Sequence, residues 1–270
     1  MTTRETATSP DGTTIAFERV GDGPVLLLLD GAFNTRASAA GLARLLADDF
    51  TVVTVDRRGR GDSDDAGALE VEAGFRLADT SDREAAVARE VADVRAVIDA
   101  VGGTAMLYGH SSGGALALET AAALPYETRV AAYEPPYSPD GGGQNPTPAA
   151  VDAALAAGDR DTAAALFLGN VGMDVDAARS QPWWQGMVGL APTLPYEYAL
   201  TDDAPPERLV GAEGPALLLV GGDSSPWMVA AVSAAAARLP HAVTQTVPGQ
   251  GHAVQDDVVA PLLRAFFLRR

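Results

Sequence analysis

The residues best suited to chemistry in this sequence form one short motif, Gly-His-Ser-Ser-Gly at residues 109–113. The apolar residues 104–108 before it predict a strand, and residues 112–124 after it predict a helix. In that context a G-x-S-x-G motif is typical of a nucleophile elbow, a tight turn whose glycines let a substrate approach a serine hydroxyl. The helix would direct its N-terminus toward the negative charge that develops in acyl transfer. We therefore predict that Ser111 is a nucleophile.

A serine hydroxyl needs a base, and histidine is the usual base at neutral pH. The chain has three histidines. We expect the side chain of His110 to point away from the neighbouring nucleophile, and His241, which follows a predicted helix end, to lie in a solvated loop. His252 comes late in the chain, after the last predicted strand, which fits the order serine, acid, histidine. His252 is therefore the predicted base.

The composition excludes several other chemistries. All 19 basic residues are arginine, and the chain has no cysteine. Without lysine there is no Schiff base, no covalently held pyridoxal phosphate and no lysine-bearing phosphate loop. Without cysteine there is no disulfide, thiolate nucleophile, iron–sulfur cluster or cysteine-ligated zinc. A three-histidine metal site would need every histidine in the chain. We expect an enzyme that uses neither a cofactor nor a metal ion.

The charge of the chain bounds its partners. There are 36 acidic residues in 270, and the formal net charge is −17. This charge would repel nucleic acid and anionic membrane surfaces. The N-terminal residues lack the apolar stretch of a signal peptide, and no apolar run approaches the roughly 20 residues of a membrane span. We therefore expect a cytoplasmic protein whose partner is a small molecule.

Short β-rich runs alternate with longer helical patterns along most of the chain. This alternation is typical of an α/β fold, a doubly wound and mostly parallel sheet flanked by helices. The predicted strands are at residues 13–20, 25–29, 51–55, 104–108, 129–133, 216–220 and 242–247. The predicted helices are at residues 36–47, with Thr35 as cap, and 82–101, 112–124, 228–239 and 258–268.

The alternation stops between residues 138 and 212. Residues 138–148 are rich in glycine, proline and other turn formers, which predicts a loop. Residues 151–212 show short helical patterns and no convincing strand. We interpret residues 138–212 as a helical insertion over one end of the sheet, and residues 1–137 and 213–270 as the core.

Several motifs, in order, resemble those of the α/β-hydrolase family, in particular its esterase and cofactor-free haloperoxidase-like branch. Pro-Asp-Gly at residues 10–12 and Gly-Asp-Gly-Pro at 21–24, before VLLLLDG, look like the first strands of that family. Residues 56–63, DRRGRGDS, are similar to its D-x-R-G-x-G-x-S turn, and residues 249–252, GQGH, to its catalytic-histidine loop. The resemblance runs nearly end to end, and it implies the α/β-hydrolase fold with the insertion as a cap.

The resemblance leaves two candidates for the acid that orients His252. The family usually carries this acid just past the strand predicted at residues 216–220, where Asp223 stands. The usual pattern there is G-x-x-D, however, and Asp223 comes one residue early. The alternative is Glu134, at the end of the preceding strand, where haloalkane dehalogenases place their acid. We favour Asp223 and keep Glu134 open.

The resemblance also suggests an oxyanion hole formed by the backbone N–H groups of Ser112 and Ala32. Asp30 stands where the family's usual His-Gly-x has histidine. We favour the interpretation that Asp30 caps its loop through backbone hydrogen bonds. Alternatively, a carboxylate beside the oxyanion hole tunes or replaces simple hydrolysis. An anion there would oppose the oxyanion, so it must be hydrogen-bonded, protonated or turned away.

Four aromatic residues are candidates for a substrate pocket over Ser111. Trp183 and Trp184 lie in the insertion, and Phe33 and Tyr137 follow predicted strands. Packing of the insertion onto the sheet is the competing role, and for any one of these residues it is the role that we favour. If they line a pocket, its ligand would be apolar or aromatic.

These residues predict a cofactor-free serine hydrolase that cleaves a carboxylic ester or lactone through an acyl-enzyme on Ser111. A serine nucleophile disfavours epoxide hydrolases and dehalogenases, which in this family use aspartate. One alternative keeps the fold but not hydrolysis, as a lyase, cyclase or perhydrolase, with Asp30 as the hint. Another is a non-catalytic ligand-binding module, which the intact pair of Ser111 and His252 disfavours.

Overall fold

A computed structural model describes residues 3–66, 79–139, 141 and 145–269. Within these residues, eight strands form one sheet in the order β1-β2-β4-β3-β5-β6-β7-β8. The strands are β1 (Thr3–Thr8), β2 (Thr14–Val20), β3 (Val25–Leu29), β4 (Thr51–Val55), β5 (Met106–His110), β6 (Val130–Tyr133), β7 (Ala216–Gly221) and β8 (Ala242–Val247).

The sheet is mostly parallel. Strands β1 and β2 form an antiparallel edge, β2 runs antiparallel to β4, and every pairing from β4 through β3 to β8 is parallel. Strand β1 was not predicted, because its sequence TRETAT has no apolar periodicity and its pairing with β2 makes it a strand. The carboxyl ends of the parallel strands lie at the same end of the sheet, and the loops that follow them carry the site residues.

The described helices are α1 (Ala40–Leu46), α2 (Thr80–Ala100), α3 (Ser112–Ala123), α4 (Thr147–Ala156), α5 (Arg160–Asn170), α6 (Val175–Arg179), α7 (Trp184–Leu190), α8 (Leu194–Thr201), α9 (Pro226–Ala236) and α10 (Asp256–Phe267). Most predicted boundaries agree within a few residues. Helix α1 begins later than predicted, with Ala39 instead of Thr35 at its N-cap position. The backbone N–H of Arg36, at the predicted helix start, donates to the Asp56 carboxylate at 2.6 Å.

Helices cover both faces of the sheet. Leu27 and Leu29 of β3 pack with residues of α2 and α3 on one face, whereas Leu26 and Leu28 pack with α1 and α10 on the other. A strand buried on both faces reads as a continuous apolar run, which explains the sequence VLLLL. The predicted doubly wound α/β class is confirmed.

Between β6 and β7, the described residues from 145 onward form helices α4 to α8, which we call the helical insertion. It has a hydrophobic cluster of its own, which includes Val151, Leu168, Trp184 and Leu194. Residues 140 and 142–144 of the predicted loop lie outside the described residues. None of the helices described is long and apolar enough to cross a membrane.

Candidate active site

Ser111 lies on a strained turn directly between β5 and α3. Its φ is 56°, a left-handed conformation that non-glycine residues rarely adopt. The backbone N–H of Ser111 donates to the carbonyl of Tyr133 on the neighbouring strand at 2.8 Å, which holds the turn in place. Strain of this kind persists only where the surrounding structure enforces it, and it clusters at functional sites.

The two outer glycines of the motif are required by close packing. A Cβ atom on Gly109 would overlap the backbone carbonyl of Gly113. A Cβ atom on Gly113 would overlap the carbonyl of Leu29 at the end of β3. Strand, turn and helix can therefore approach one another only if both positions lack side chains, which is the physical basis of the G-x-S-x-G spacing in this chain.

His252 lies between the hydroxyl of Ser111 and a buried carboxylate. Its Nε2 is 3.1 Å from Oγ of Ser111, and its Nδ1 is 2.7 Å from Oε2 of Glu134. In the arrangement that satisfies both contacts, Nδ1–H donates to the carboxylate and Nε2 accepts from the hydroxyl. The carboxylate of Glu134 is fully buried, whereas the imidazole is about half exposed. The three side chains thus form one hydrogen-bonded line.

The expectation that favoured Asp223 is corrected by this geometry. Asp223 is exposed, and its backbone N–H donates to the carbonyl of Gln250 at 2.9 Å. The residue three positions after Gly221 is Ser224, and its hydroxyl donates to Oε1 of Glu134. Because Asp223 stands one residue early, the position that matches G-x-x-D holds Ser224, which donates a hydrogen bond to the carboxylate of Glu134.

Glu134 is held as an anion. Burial alone would raise its pKa, but hydrogen bonds from His252, Ser224 and the backbone N–H of Gly221 outweigh burial, and the pKa lies below its ordinary value. The N–H of Gly221 donates to Oε1 at 2.7 Å, so both carboxylate oxygens have partners. An ionised carboxylate on Nδ1 favours the imidazole tautomer that can accept a proton at Nε2.

His110 contacts the loop of His252 rather than Ser111, a contact that the sequence did not predict. The Nε2 of His110 is 2.8 Å from the carbonyl oxygen of His252, and the two ring centroids are 4.9 Å apart. Burial and the neighbouring His252 lower the pKa of His110 to about 4, so its ring is neutral and Nε2–H donates. The hydroxyl of Tyr133 donates to the next carbonyl, that of Gly251, at 2.6 Å. The side chains of His110 and Tyr133 therefore hold two consecutive carbonyl groups of this loop. His241, the third histidine, is exposed, as expected.

The loop after β3 runs alongside Ser111. A Cβ atom on Gly31 would lie 2.8 Å from Cβ of Ser111. The backbone N–H of the next residue, Ala32, donates no hydrogen bond within the described part of the chain. Ser112 is the first residue of α3, so its N–H has no partner within the helix. The predicted oxyanion donors thus lie on the two segments that flank Ser111, and their role stays a prediction.

Asp30 is not the loop cap that we favoured. Among the residues described, no hydrogen bond reaches its carboxylate. Burial, and secondarily the negative charge of Asp256, raise the pKa of Asp30 to about 6, although Arg57 and Arg60 act in the opposite direction. The carboxyl group of Asp30, with its raised pKa, therefore lies directly before Gly31 in the loop beside Ser111.

The aromatic residues proposed for the pocket have different surroundings. Phe33, with φ of 59°, packs edge-on against Phe167 of the helical insertion at 5.4 Å. Tyr137 is buried in the core, where its hydroxyl donates to the carbonyl of Ala115. Trp184 is buried within the insertion, and Trp183 is 43% exposed. Tyr137 and Trp184 therefore pack hydrophobic clusters, which is the competing role, and the pocket role predicted for these two is corrected.

The chain is similar to known proteins over most of its length. The family model described as the alpha/beta hydrolase family matches residues 26–264. An alpha/beta hydrolase from Sphaerobacter thermophilus DSM 20745 is 39% identical and has a TM-score of 0.81, over 97% of this chain and 100% of that chain.

More distant structures are also similar over nearly the whole chain. The esterase RhEst1 from Rhodococcus sp. ECU1013 is 22% identical, with a TM-score of 0.67, over 98% of both chains. The carboxylesterase CesB from Bacillus subtilis is 18% identical, with a TM-score of 0.66, over 99% of this chain and 92% of that chain. These two likenesses show a shared fold.

Proposed function

The chain belongs to the α/β-hydrolase family, and we propose that it is a serine hydrolase that cleaves a carboxylic ester or lactone through an acyl-enzyme on Ser111. The observation that carries the proposal is the hydrogen-bonded line from Ser111 through His252 to Glu134. The fold shared with structures named as an esterase and a carboxylesterase supports it.

In the proposed reaction, Nε2 of His252 takes the hydroxyl proton as Oγ of Ser111 attacks the ester carbonyl carbon. The carbonyl oxygen becomes an oxyanion, which the N–H groups of Ala32 and Ser112 would hold. His252 then returns the proton to the leaving alkoxide, and the acyl group stays on Oγ. A water molecule, deprotonated by His252, then attacks the carbonyl carbon of the acyl-enzyme. The bond between that carbon and Oγ breaks as His252 returns the proton to Oγ, which releases the acid and restores the hydroxyl of Ser111. The anionic Glu134 stabilises the imidazolium in both steps.

The proposed substrate is a small molecule with an apolar acyl or aromatic part. Phe33 of the loop beside Ser111 packs against Phe167, and both rings are partly buried. Phe167 also contacts Tyr198 at 5.5 Å, so an aromatic row links the core to the helical insertion. We propose that the insertion is a cap and that this row forms part of the substrate pocket.

Asp30 supports a second candidate function. Its carboxyl group has no hydrogen-bond partner among the described residues, and its pKa is raised to about 6. A group that titrates near neutral pH can donate or accept a proton. In a lyase, cyclase or perhydrolase, Asp30 would serve as this second acid or base beside Ser111.

Labelling with a fluorophosphonate probe and turnover of p-nitrophenyl esters test the proposal. The variants are Ser111→Ala and, as a control, Ser233→Ala, which removes an exposed serine on α9. We expect labelling and turnover in the wild type and in Ser233→Ala, and neither in Ser111→Ala. A folded wild type that the probe does not label would overturn the proposal. Labelling without turnover of esters and lactones would favour the second candidate.

A further inference from the structure

Four charged side chains form a buried cluster beneath the site, which we call the Arg57 cluster. Its members are Arg57 and Arg60 of the turn after β4, Glu90 of α2 and Glu197 of α8, and none is more than 3% exposed. Burying ions costs several kcal/mol each unless they are well paired, and apolar residues of similar size often pack as stably. The contacts of the cluster therefore suggest a role beyond stability.

The guanidinium of Arg57 is fixed on one side by Glu90. Nε and Nη2 of Arg57 donate to the two carboxylate oxygens of Glu90 at 2.8 and 2.6 Å. A bidentate pair of this kind sets the plane and the position of the guanidinium. The third nitrogen, Nη1, is thereby held at a defined place.

Nη1 of Arg57 contacts three different segments of the chain. It lies 3.2 Å from the carbonyl oxygen of Asp30 in the loop after β3, and 3.2 Å from Oγ of Ser112 at the start of α3. It also lies 3.2 Å from Oε2 of Glu197 on α8, in the helical insertion. One nitrogen thus joins both segments that flank Ser111 to the insertion.

The two segments joined by Nη1 carry the proposed oxyanion donors. Asp30 precedes Ala32 by two residues, and Ser112 is itself the second donor. The separation of the two N–H groups therefore depends on how the loop and the helix are held together. An error of about 1 Å in such an arrangement can cost about 100-fold in rate.

Glu197 accepts from the same Nη1 group of Arg57 that donates to Asp30 and Ser112. Nη1 carries two hydrogens, and four oxygen atoms lie within 3.4 Å of it, two of them on Glu197. Glu197 also pairs with Nη2 of Arg60, which ties α8 to the same turn. Because Glu90 fixes the guanidinium, the position of α8 sets how the two hydrogens of Nη1 are shared between Glu197, the carbonyl of Asp30 and the hydroxyl of Ser112.

We propose that Arg57 is a positioning residue through which Glu197, and hence the seating of α8, sets the geometry of the oxyanion hole. The inference rests on the proposed function, because it assumes that an oxyanion forms at Ser111. It predicts that loss of the charge on Glu197 impairs the transition state more than the binding of the substrate.

The next residue in the chain offers a matched control. Arg58 is buried and donates from Nε and Nη2 to both carboxylate oxygens of Asp93, also on α2, at 2.6 and 2.7 Å. Its described hydrogen bonds include none to Asp30 or Ser112. Asp93→Asn therefore removes a buried charge of the same kind without changing the contacts of Nη1.

The experiment compares Glu197→Gln with Asp93→Asn in the full-length chain. The readouts are kcat and KM for p-nitrophenyl butyrate, inhibition by a trifluoromethyl ketone and by the matching methyl ketone, and the unfolding midpoint. The serine hydroxyl adds to the carbonyl of a trifluoromethyl ketone, and the carbonyl oxygen becomes an oxyanion. The methyl ketone instead resembles the bound substrate.

For Glu197→Gln we expect kcat to fall about 10- to 100-fold with KM within about threefold. Affinity for the trifluoromethyl ketone should fall by a similar factor, and affinity for the methyl ketone should hold. Asp93→Asn should lower the unfolding midpoint but keep kcat within about threefold. Equal losses of kcat in the two variants, or a change confined to KM, would overturn the inference.

Ser112→Ala keeps the proposal falsifiable if Glu197→Gln does not fold. It retains the backbone N–H of residue 112 and removes one contact of Nη1, so kcat should fall about 3- to 10-fold at unchanged KM. An unchanged kcat would overturn the inference. Fluorophosphonate labelling of the wild type separates the two proposals. An unlabelled wild type overturns both, whereas a labelled wild type with a fully active Glu197→Gln variant overturns the inference alone.

Discussion

Oε2 of Glu134 lies 2.7 Å from Nδ1 of His252, although 118 residues separate the two in the chain. Glu134 directly follows β6, and His252 lies in the loop after β8. The carboxylate that contacts the imidazole thus follows β6, the strand next to β5, which precedes Ser111. Ser224, three residues after Gly221 at the end of β7, donates a hydrogen bond to this carboxylate. It supports the carboxylate and does not supply one itself.

Glu134→Gln should lower kcat about 10³- to 10⁴-fold, because a neutral amide neither stabilises the imidazolium nor selects its tautomer. Asp223→Asn should stay within about twofold of the wild type, because its exposed side chain is outside the hydrogen-bonded line. Turnover of p-nitrophenyl esters measures both variants. Equal, small effects would show that neither carboxylate orients His252.

The proposed role of Glu134 predicts that a carboxylate placed at the end of β7 can replace it. Ser224 contacts Glu134 and stands three residues after Gly221, so Glu134→Ala combined with Ser224→Asp should recover about 10- to 100-fold of the kcat lost in Glu134→Ala alone. Glu134→Ala with Ser225→Asp is the matched control, because Ser225 caps α9 and aspartate caps equally well. Equal recovery in the two double variants would contradict the placement of Ser224.

Asp30→Asn should stabilise the fold in a pH-dependent way. The pKa of Asp30 is raised from 3.8 to about 6, so its ionisation weakens the folded state as pH rises from about 4 to about 6. The variant escapes this loss, and its gain in the free energy of unfolding should reach about 2 to 3 kcal/mol above pH 6 and vanish near pH 4. Urea unfolding across this range measures it. Asp22→Asn, at an exposed loop position, controls for the change in net charge, and the same gain there would contradict the burial of Asp30.

His110→Phe should lower kcat about tenfold at little change in KM, because the loop of His252 loses one hydrogen bond. The variant also removes a group whose pKa falls from 6.5 to about 4 in the folded chain. Below pH 6.5 the unfolded state binds the proton more readily, so the wild type should lose up to about 3 kcal/mol relative to the variant between pH 6.5 and 4. Tyr133→Phe removes the neighbouring hydrogen bond and should lower kcat without this pH dependence. Identical pH profiles of stability in the two variants would argue against a buried, neutral His110.

Local pattern predicted strands β2 to β8 and the turn at Ser111. Buried parallel strands read as apolar runs, and the motif around Ser111 combines a strand end, a turn and a helix start within a few residues. Strand β1 escaped prediction because its residues are polar and only its partner β2 makes it a strand. Elimination among three histidines predicted His252 as the base, and Nε2 of this residue lies 3.1 Å from Oγ of Ser111.

The acid and the aromatic surroundings depend on contacts between distant segments. Asp223 and Glu134 both follow neighbouring strands, and no local pattern decides which carboxylate reaches the imidazole. The one-residue offset of Asp223 from G-x-x-D was the available signal. Trp184 and Tyr137 pack hydrophobic clusters, and composition does not separate packing from pocket lining. The Arg57 cluster joins partners 33 and 140 residues from Arg57, so the sequence did not indicate it.

Three non-glycine residues have positive φ among the described residues, and they follow β3, β5 and β6, which are neighbours in the sheet: Phe33 at 59°, Ser111 at 56° and Glu134 at 49°. Each such conformation costs about 1 to 3 kcal/mol, and glycine would relieve it. A laboratory evolution that rewards thermal tolerance alone should therefore accumulate glycine at these positions. The lineages that gained most heat resistance by this route would be those that had lost Ser111, the proposed nucleophile, or Glu134, the proposed acid.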